Sequence, residues 1–329
     1  MSAQRVLSGR YRLLRELGRG GMGVVWQAHD ERLDRDVAVK EVRAPDVLSE
    51  REITQLYTRL EREAWAAGRV THRNVVTVYD VVNDDGRPWI VMELVRGLSL
   101  YEVLEAEGRL APERAAAIGA EVLAALRAAH AASVLHRDVK PGNVLVGNDG
   151  RTVLTDFGIA VVEGSSALTM TGQLVGSPEF LAPERAMGRP PGPASDLWSL
   201  GVLLYAAVEG NTPFRRDSAL STLRAVVDEE LPPPSHAGPL APVIEGLLRK
   251  DPELRLPAEE AARMLVSASA GGTPRDTSTP PAAYAPTVWS PADPGAPPAA
   301  TRTGATAGPP PGFGPAAMDG PLTSTSAPR

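Results

Sequence analysis

Three side chains in one short segment could together support transfer of a charged group. Asp138 can act as a general base, Lys140 can stabilise negative charge, and Asn143 offers a hard oxygen ligand to a metal ion. Asp156 follows thirteen residues after Asn143 and adds a second hard oxygen. A base, a cation and two oxygen ligands so close together in sequence suit proton transfer assisted by a metal ion.

Further motifs flank these side chains and follow one another in a fixed order. They are Gly18-Arg19-Gly20-Gly21-Met22-Gly23-Val24-Val25, Val37-Ala38-Val39-Lys40, His136-Arg137-Asp138, Asp156-Phe157-Gly158 and Ala182-Pro183-Glu184. With these motifs, roughly residues 10–268 resemble the Hanks-type protein kinases of the bacterial serine/threonine branch. The resemblance implies an α+β fold with two lobes, in which a β-rich small lobe with one regulatory helix precedes a mostly helical large lobe.

The glycine cluster is predicted to bind phosphate, because glycines let the backbone approach phosphate oxygens without a Cβ atom in the way. A glycine-rich hairpin without a ligand and a dinucleotide-binding fold are the alternatives. The latter needs a helix directly after the glycines, whereas a β-rich run follows here. By the resemblance, the residues that contact ATP would be Gly18, Arg19, Gly20, Gly21, Met22, Gly23, Val25, Ala38, Lys40, Met92, Glu93 and Val95.

Lys40 ends an apolar strand, where its amine could simply extend to solvent. The resemblance implies instead that Lys40 holds the α- and β-phosphates while paired with a glutamate of the next helix. Glu63 is the predicted partner, because its spacing from Leu60 and Ala67 puts it at the border of the apolar face, where a charge needs a partner. A solvated surface glutamate is the alternative.

The resemblance also assigns the catalytic roles. Asp138 would orient the substrate hydroxyl, and Lys140 would stabilise the transferred group, in the pattern of serine/threonine kinases rather than tyrosine kinases. Asn143 and Asp156 would bind Mg²⁺, or Mn²⁺ in its place, because both offer hard oxygen atoms. His136, Asp196 and a Glu184–Arg255 ion pair are expected to support the structure.

Arg137 immediately precedes the proposed base, and kinases with this arginine are usually controlled by phosphorylation of the activation segment. Thr169 and Thr171 lie in the middle of that segment and are the expected autophosphorylation sites. A guanidinium can bind the phosphate that such a modification adds. Ser177 retains a hydroxyl group that could bridge Asp138 and Lys140.

The elements that would position these residues follow from hydrophobic periodicity. Strands are predicted over 11–17, 24–29, 36–42, 75–82 and 89–94, and large-lobe helices over 112–132, 195–209, 218–229 and 242–249. Ser49 and Glu52 predict a capping box at the start of a small-lobe helix. The predicted domains are a small lobe over 10–96, a large lobe over 97–268 and a disordered tail rich in Pro, Ala, Thr and Gly over 269–329.

Composition limits the class of protein. The chain has 329 residues, no cysteine and a formal net charge of -6, which argues against disulfides and against nonspecific nucleic-acid binding. No signal peptide is evident, and no apolar run reaches the roughly 18 residues of a membrane-spanning helix. These features predict a cytoplasmic protein.

The sequence therefore predicts a protein serine/threonine kinase. A pseudokinase or nucleotide-binding scaffold is the alternative, but degenerate kinases tend to lose residues that this chain retains at Lys40, Asp138, Asn143 and Asp156. A small-molecule phosphotransferase is a third option, against which the Ala-Pro-Glu motif argues. The expected partners are protein substrates bearing serine or threonine, domains that read phosphothreonine, and a second copy of the chain in a transient homodimer.

Overall fold

The computed structural model describes residues 5–20, 23–44, 48–157 and 177–271. Its first part is a six-stranded antiparallel sheet in the order β1-β2-β3-β4-β6-β5. The strands are β1 (Val6–Leu7), β2 (Tyr11–Gly20), β3 (Gly23–Asp30), β4 (Arg35–Val42), β5 (Val78–Asp84) and β6 (Arg87–Met92). This sheet confirms the predicted β-rich small lobe. The predicted tail lies outside the described residues.

The turn between β5 and β6 explains why the strands reach closer to each other along the chain than the sequence predicted. Asp85 and Gly86 have φ angles of 52° and 70°, the left-handed conformation that closes a tight two-residue hairpin. The strands therefore pair up to the turn, as far as Asp84 and Arg87. They begin and end at different residues from the predicted 75–82 and 89–94, which rested on the apolar runs alone.

Close approach of backbone to backbone requires a glycine at the start of β3. Gly23 has a φ angle of 138°, and a Cβ atom there would lie 1.8 Å from the carbonyl oxygen of Glu41. A side chain at this position would therefore push the glycine-rich hairpin away from β4, the strand that carries Lys40. The glycine thus keeps the hairpin close to the strand beside it.

The small lobe contains one described helix, α1 (Glu50–Ala67), as predicted. Ser49 and Glu52 form the expected capping box at its N-terminus. Leu60 and Ala64 are buried and pack with Val42 and Ile90 of the sheet. The helix is therefore attached to the face of the sheet that carries the end of β4.

The large lobe is mostly helical, which confirms the second half of the predicted fold. Its helices are α2 (Leu100–Glu107), α3 (Pro112–Ala131), α4 (Pro183–Ala186), α5 (Pro193–Glu209), α6 (Ala219–Asp228), α7 (Ala241–Leu247) and α8 (Ala258–Ala270). A second antiparallel sheet consists of β7 (Gly97–Ser99), β8 (Val144–Gly147) and β9 (Thr152–Leu154). Hydrophobic periodicity did not pick out α2, α8 or this short sheet.

Helix α5 forms the centre of the large lobe. Every residue from Ser195 to Val208 is buried, as expected for the longest apolar run of the chain. Close packing is needed there, because a Cβ atom at Gly201 would lie 2.9 Å from the side chains of Leu247 and Leu248. Among the helices of the described ranges, none is long and apolar enough to cross a membrane.

A buried ion pair joins two distant parts of the large lobe. Two guanidinium nitrogens of Arg255, Nη1 and Nη2, each donate to the carboxylate of Glu184 at 3.0 Å. Both residues are 5% exposed. Burial would raise the pKa of Glu184, but the hydrogen bonds and charge of Arg255 lower it overall. The predicted pair is therefore confirmed, and Glu184 is ionised in the folded protein.

Removal of one partner should leave a buried charge without compensation. We expect Arg255→Met to destabilise the protein by about 3–5 kcal/mol at neutral pH. In that variant burial raises the pKa of Glu184, so protonation relieves the defect and the deficit should shrink from pH 7 to about pH 5. Urea denaturation at both pH values measures this difference.

Arg216→Met is the matched control. Arg216 pairs with Glu229, and their side chains are 39% and 48% exposed. Such a pair contributes less than about 1 kcal/mol to the free energy of unfolding. An Arg255→Met deficit equal to that of the control, or one that does not change with pH, would contradict the prediction.

Candidate active site

The cleft between the lobes brings together five of the predicted polar residues. Lys40 comes from β4, Asp138, Lys140 and Asn143 come from the loop between α3 and β8, and Asp156 follows β9. The Lys40 amine lies 2.7 Å from Asp156 Oδ1, and the Lys140 amine lies 2.8 Å from Asp138 Oδ2. The Asn143 amide donates to the carbonyl and the carboxylate of Asp138, at 2.8 and 3.0 Å. The loop residues therefore form one hydrogen-bonded unit.

Asp196 on α5 binds the backbone of this loop through hydrogen bonds. Asp196 Oδ1 accepts the amide of Arg137 at 2.8 Å, and Oδ2 accepts the amide of His136 at 2.9 Å. His130 Nε2 lies 2.7 Å from the same Oδ2 atom. Burial would raise the pKa of Asp196, but its hydrogen bond with His130 and the backbone amides lower it overall. A buried anion thus orients the loop, which is the structural role predicted for Asp196.

Strain at Arg137 explains why the loop needs such support. Its φ angle is 66°, a left-handed conformation that is uncommon for a residue with a side chain. The two charge-assisted hydrogen bonds from the His136 and Arg137 amides to Asp196 offset this cost. They also fix the direction of the backbone that leads into Asp138.

His136 is buried and supports the site through packing, as expected. Its Nε2 atom lies 2.9 Å from the carbonyl of Thr155, and its ring lies 4.6 Å from that of Phe157. Burial lowers the pKa of His136, so the ring is neutral at physiological pH and donates to the Thr155 carbonyl. The loop that carries Asp138 is thereby attached to the segment that carries Asp156.

The two predicted metal ligands offer oxygen atoms in suitable chemical states. Burial would raise the pKa of Asp156, but the charge and hydrogen bond of Lys40 lower it, so the carboxylate is ionised. The Asn143 amide nitrogen is occupied by Asp138, which leaves its carbonyl oxygen for a cation. Within the described ranges, no group of three or more acidic, histidine or cysteine side chains could hold a metal. These two ligands therefore suit a cation that takes its other ligands from a bound molecule or water.

The predicted pairing of Lys40 with Glu63 is wrong for this structure. Lys40 instead binds Asp156 across the cleft. Glu63 Oε1 lies 3.0 Å from the Arg59 guanidinium and 3.2 Å from that of Arg137. The position of Glu63 on the border of the apolar face of α1 was inferred correctly. Two guanidinium groups converge there and bind the carboxylate. Sequence spacing within one helix does not reveal these competing cations.

Apolar side chains from both lobes line the cleft next to the polar cluster. Val25 and Ala38 on the small-lobe strands and Met92 at the end of β6 pack in one cluster with Leu145 and Val153 of the large-lobe sheet. The first three were predicted to contact nucleotide, whereas Leu145 and Val153 were missed. The segment Val144–Gly147 is too short and too uniformly apolar for a sequence pattern to single out Leu145. We call this cluster the apolar slot, because apolar side chains of this kind line sites that bind an aromatic ring.

The chain segment that links the lobes lies next to this slot, because Leu94 and Val95 pack against the cluster. The Glu93 amide donates to the Thr77 carbonyl at 2.9 Å. Considering only residues that the structure describes, the Glu93 carbonyl and the Val95 amide have no hydrogen-bond partner. One acceptor and one donor two residues apart can therefore pair with the edge of a bound base.

Some of the remaining predicted residues are described by the structure, and others lie outside the described ranges. Gly18, Arg19, Gly20 and Gly23 lie in the hairpin of β2 and β3, where Arg19 pairs with Glu16 at 2.7 Å. Ser177 makes no hydrogen bond with Asp138 or Lys140, which pair directly instead. The predictions for Gly21, Met22, Thr169 and Thr171 lie outside the described residues.

Comparison with known proteins gives consistent matches. The family model for the protein kinase domain matches residues 11–266. The chain is 40% identical over 290 residues to the serine/threonine-protein kinase PknA of Mycobacterium tuberculosis, covering 85% of this chain and 66% of that relative. It is 39% identical over 227 residues to PknL of Mycobacterium bovis (69% and 56%) and 37% identical over 245 residues to PrkC of Bacillus subtilis (74% and 37%). The chain thus spans less than two thirds of the length of these relatives.

The Asp196 support yields a prediction that needs no activity assay. Asp196→Asn replaces an anion by an amide, which cannot accept two backbone amides and a histidine equally well. We expect hydrogen exchange at His136 and Arg137 to accelerate by about tenfold or more, since hydrogen bonds to a charged group contribute roughly 1.5–3 kcal/mol. Mass spectrometry of the peptide that spans the loop measures this. Asp228→Asn, an exposed carboxylate on α6, is the control, and equal protection in both variants would refute the role of Asp196.

Proposed function

The chain belongs to the protein kinase domain family, and on this premise we propose that it transfers the γ-phosphoryl group of ATP to serine and threonine hydroxyl groups of proteins. One observation carries the proposal. Asp138, Lys140 and Asn143 form a single hydrogen-bonded unit in the large lobe, and Asp156 of the same lobe pairs with Lys40 of the small lobe. A base, two cations and two oxygen ligands thereby meet where a nucleotide and a hydroxyl group can both enter.

Asp138 would accept or orient the proton of the substrate hydroxyl, because the Lys140 amine and the Asn143 amide hold its carboxylate in one position. Lys140 lies 2.8 Å from this carboxylate and would stabilise negative charge on the transferred group. Such preorganised charges need no rearrangement at the moment of reaction. The kinase names of the relatives support serine and threonine as acceptors.

The apolar slot would hold the adenine ring, and the Glu93 carbonyl and Val95 amide would bind its edge. Val25, Ala38 and Leu145 offer the apolar surface for such a ring. Lys40 is 7% exposed and follows Ala38 by two residues on β4, so its amine would hold the phosphates. Fixing both ends of the nucleotide is the positioning that phosphoryl transfer requires.

Asn143 and Asp156 would hold Mg²⁺, with Mn²⁺ as the alternative ion. When bound, the divalent cation neutralises charge on the phosphate oxygens. Asn143 would contribute to the site twice, because its amide nitrogen holds Asp138 and its oxygen would be left to bind the cation. No contact among the described residues favours a scaffold that binds nucleotide without transfer.

Arg137 and the threonines at 169 and 171 would provide control. Arg137 is bound to Glu63 in this structure, at 3.2 Å, and a phosphothreonine with a charge of about -1.5 to -2 would compete for it. We further propose that phosphorylation occurs in trans, within a transient homodimer, and that phosphothreonine-reading domains are partners. The names of the relatives support protein substrates in general.

Replacement of the base tests the transfer step. Asp138→Asn should lower phosphorylation of a serine or threonine peptide by at least about 100-fold, the scale of lost general-base catalysis. Affinity for ATP should change little, because Asp138 would contact the acceptor rather than the nucleotide. Peptide phosphorylation with labelled ATP and titration of an ATP analogue measure the two quantities. Near-normal transfer by Asp138→Asn, with Asp217→Asn as the surface control, would contradict the proposal.

Removal of both threonines tests the control step. Thr169→Ala/Thr171→Ala should lower the initial rate at least about fivefold, a modest regulatory coupling, and leave ATP binding intact. Ser165→Ala/Ser166→Ala is the matched control in the same segment. Initial rates of freshly phosphorylated proteins and phosphosite mapping give the comparison. If the threonine variant matches the phosphorylated unsubstituted protein, Arg137 does not act as a phosphate receptor.

A further inference from the structure

Arg151 connects three segments of the chain behind the cleft. It lies directly before β9, and its side chain is 25% exposed. One guanidinium nitrogen binds the Glu93 carboxylate, a second donates to Asp149 Oδ2 at 2.8 Å, and a third donates to the Arg73 carbonyl at 3.3 Å. These groups belong to the link between the lobes, the β8–β9 turn and the loop between α1 and β5.

Glu93 is held from the other side as well. Its carboxylate accepts the Thr77 amide at 3.4 Å, while its own amide donates to the Thr77 carbonyl at 2.9 Å. The side chain is 19% exposed. These contacts hold the peptide group before Glu93 and its side chain in place, which leaves rotation about ψ as the remaining local freedom of the Glu93 carbonyl.

The β8–β9 turn makes a second contact with the same link. The Asn148 amide donates to the Arg96 carbonyl at 2.8 Å, so the turn contacts the link at two points on either side of Val95. The turn itself is closed by a hydrogen bond from Gly147 to the Arg151 carbonyl at 2.9 Å. Burial would raise the pKa of Asp149, but the hydrogen bonds and charge of Arg151 lower it, so Asp149 is an anion that orients the guanidinium.

We propose that Arg151 is a positioning residue for nucleotide binding: by holding the Glu93 carboxylate it fixes the backbone groups that receive the adenine ring. The inference rests on the proposed function, because it requires adenine in the slot. Arg151 does not line the slot and would not touch the nucleotide. An arginine suits this task better than a lysine, since its planar fork reaches three acceptors at once.

The test compares nucleotide affinity with turnover in the full chain. Arg151→Ala should raise KM for ATP and Kd for a non-hydrolysable ATP analogue by about five- to tenfold, because a binding group is no longer held in place. KM for the peptide and kcat should change less than about twofold, since uniform loss of nucleotide binding leaves chemistry unaffected. Arg216→Ala removes an exposed ion pair elsewhere in the large lobe and should change none of these values.

Two further variants separate positioning from folding. Arg151→Lys keeps one contact to Glu93 and should restore part of the affinity. Glu93→Gln weakens the same contact and should shift ATP affinity in the same direction as Arg151→Ala. The losses should be less than additive in the double variant, because both changes act on the Glu93–Arg151 ion pair. Melting temperatures near that of the unsubstituted protein establish that the variants fold.

The possible outcomes are distinct. Unchanged ATP affinity in Arg151→Ala would overturn the inference and leave the proposed function intact. A rise in kcat would also overturn the inference, because it would mean that Arg151 restrains lobe movement. An additive loss in the double variant would also overturn it. If the unsubstituted protein binds no ATP, the proposed function fails and the inference fails with it.

Discussion

The buried carboxylate of Asp196 is the interaction on which the geometry of the site depends. It orients two consecutive backbone amides, and Asp138 is the next residue in the loop. Because Asp196 lies on a helix that is buried along nearly its whole length, the position of the base is set by the large-lobe core. A site supported in this way keeps its geometry without depending on the flexible side chains at the surface.

A second constraint comes from the placement of charges across the cleft. Lys40 belongs to the small lobe and Asp156 to the segment after β9, and their ion pair joins the two sides. Alongside it lies an apolar cluster to which both lobes contribute. The ion pair and the apolar cluster therefore both depend on how the two lobes are placed relative to each other.

Motifs made most of the fold and site predictable. Alternating apolar residues located the small-lobe strands, and the capping box at Ser49 located the start of α1. The order of Lys40, Asp138, Asn143 and Asp156 predicted residues that do meet in space. These inferences succeeded because each rests on local chemistry or on a spacing that the fold preserves. The predicted domain boundaries stay predictions.

Other features depended on partners far apart in sequence. Glu63 was given the wrong partner because two guanidinium groups reach it in the folded chain, one of them from the loop before Asp138. Leu145 and Arg151 were missed because their surroundings arise only when β8 and β9 pack behind the link between the lobes. The short sheet itself escaped notice, since three- and four-residue strands carry too few alternations to show a period.

The division of the hydrophobic core has a consequence for cooperativity. In the described part of the chain, Leu7, Tyr11 and Trp89 anchor a cluster inside the small-lobe sheet, while a separate large cluster surrounds α3 and α5. Clusters that are packed separately can open as local units with different free energies. A molecule that fills the cleft touches both units and adds its binding free energy to both. Calorimetric unfolding should then sharpen toward one transition as ligand is added, so the width of the transition reports coupling that the midpoint alone does not.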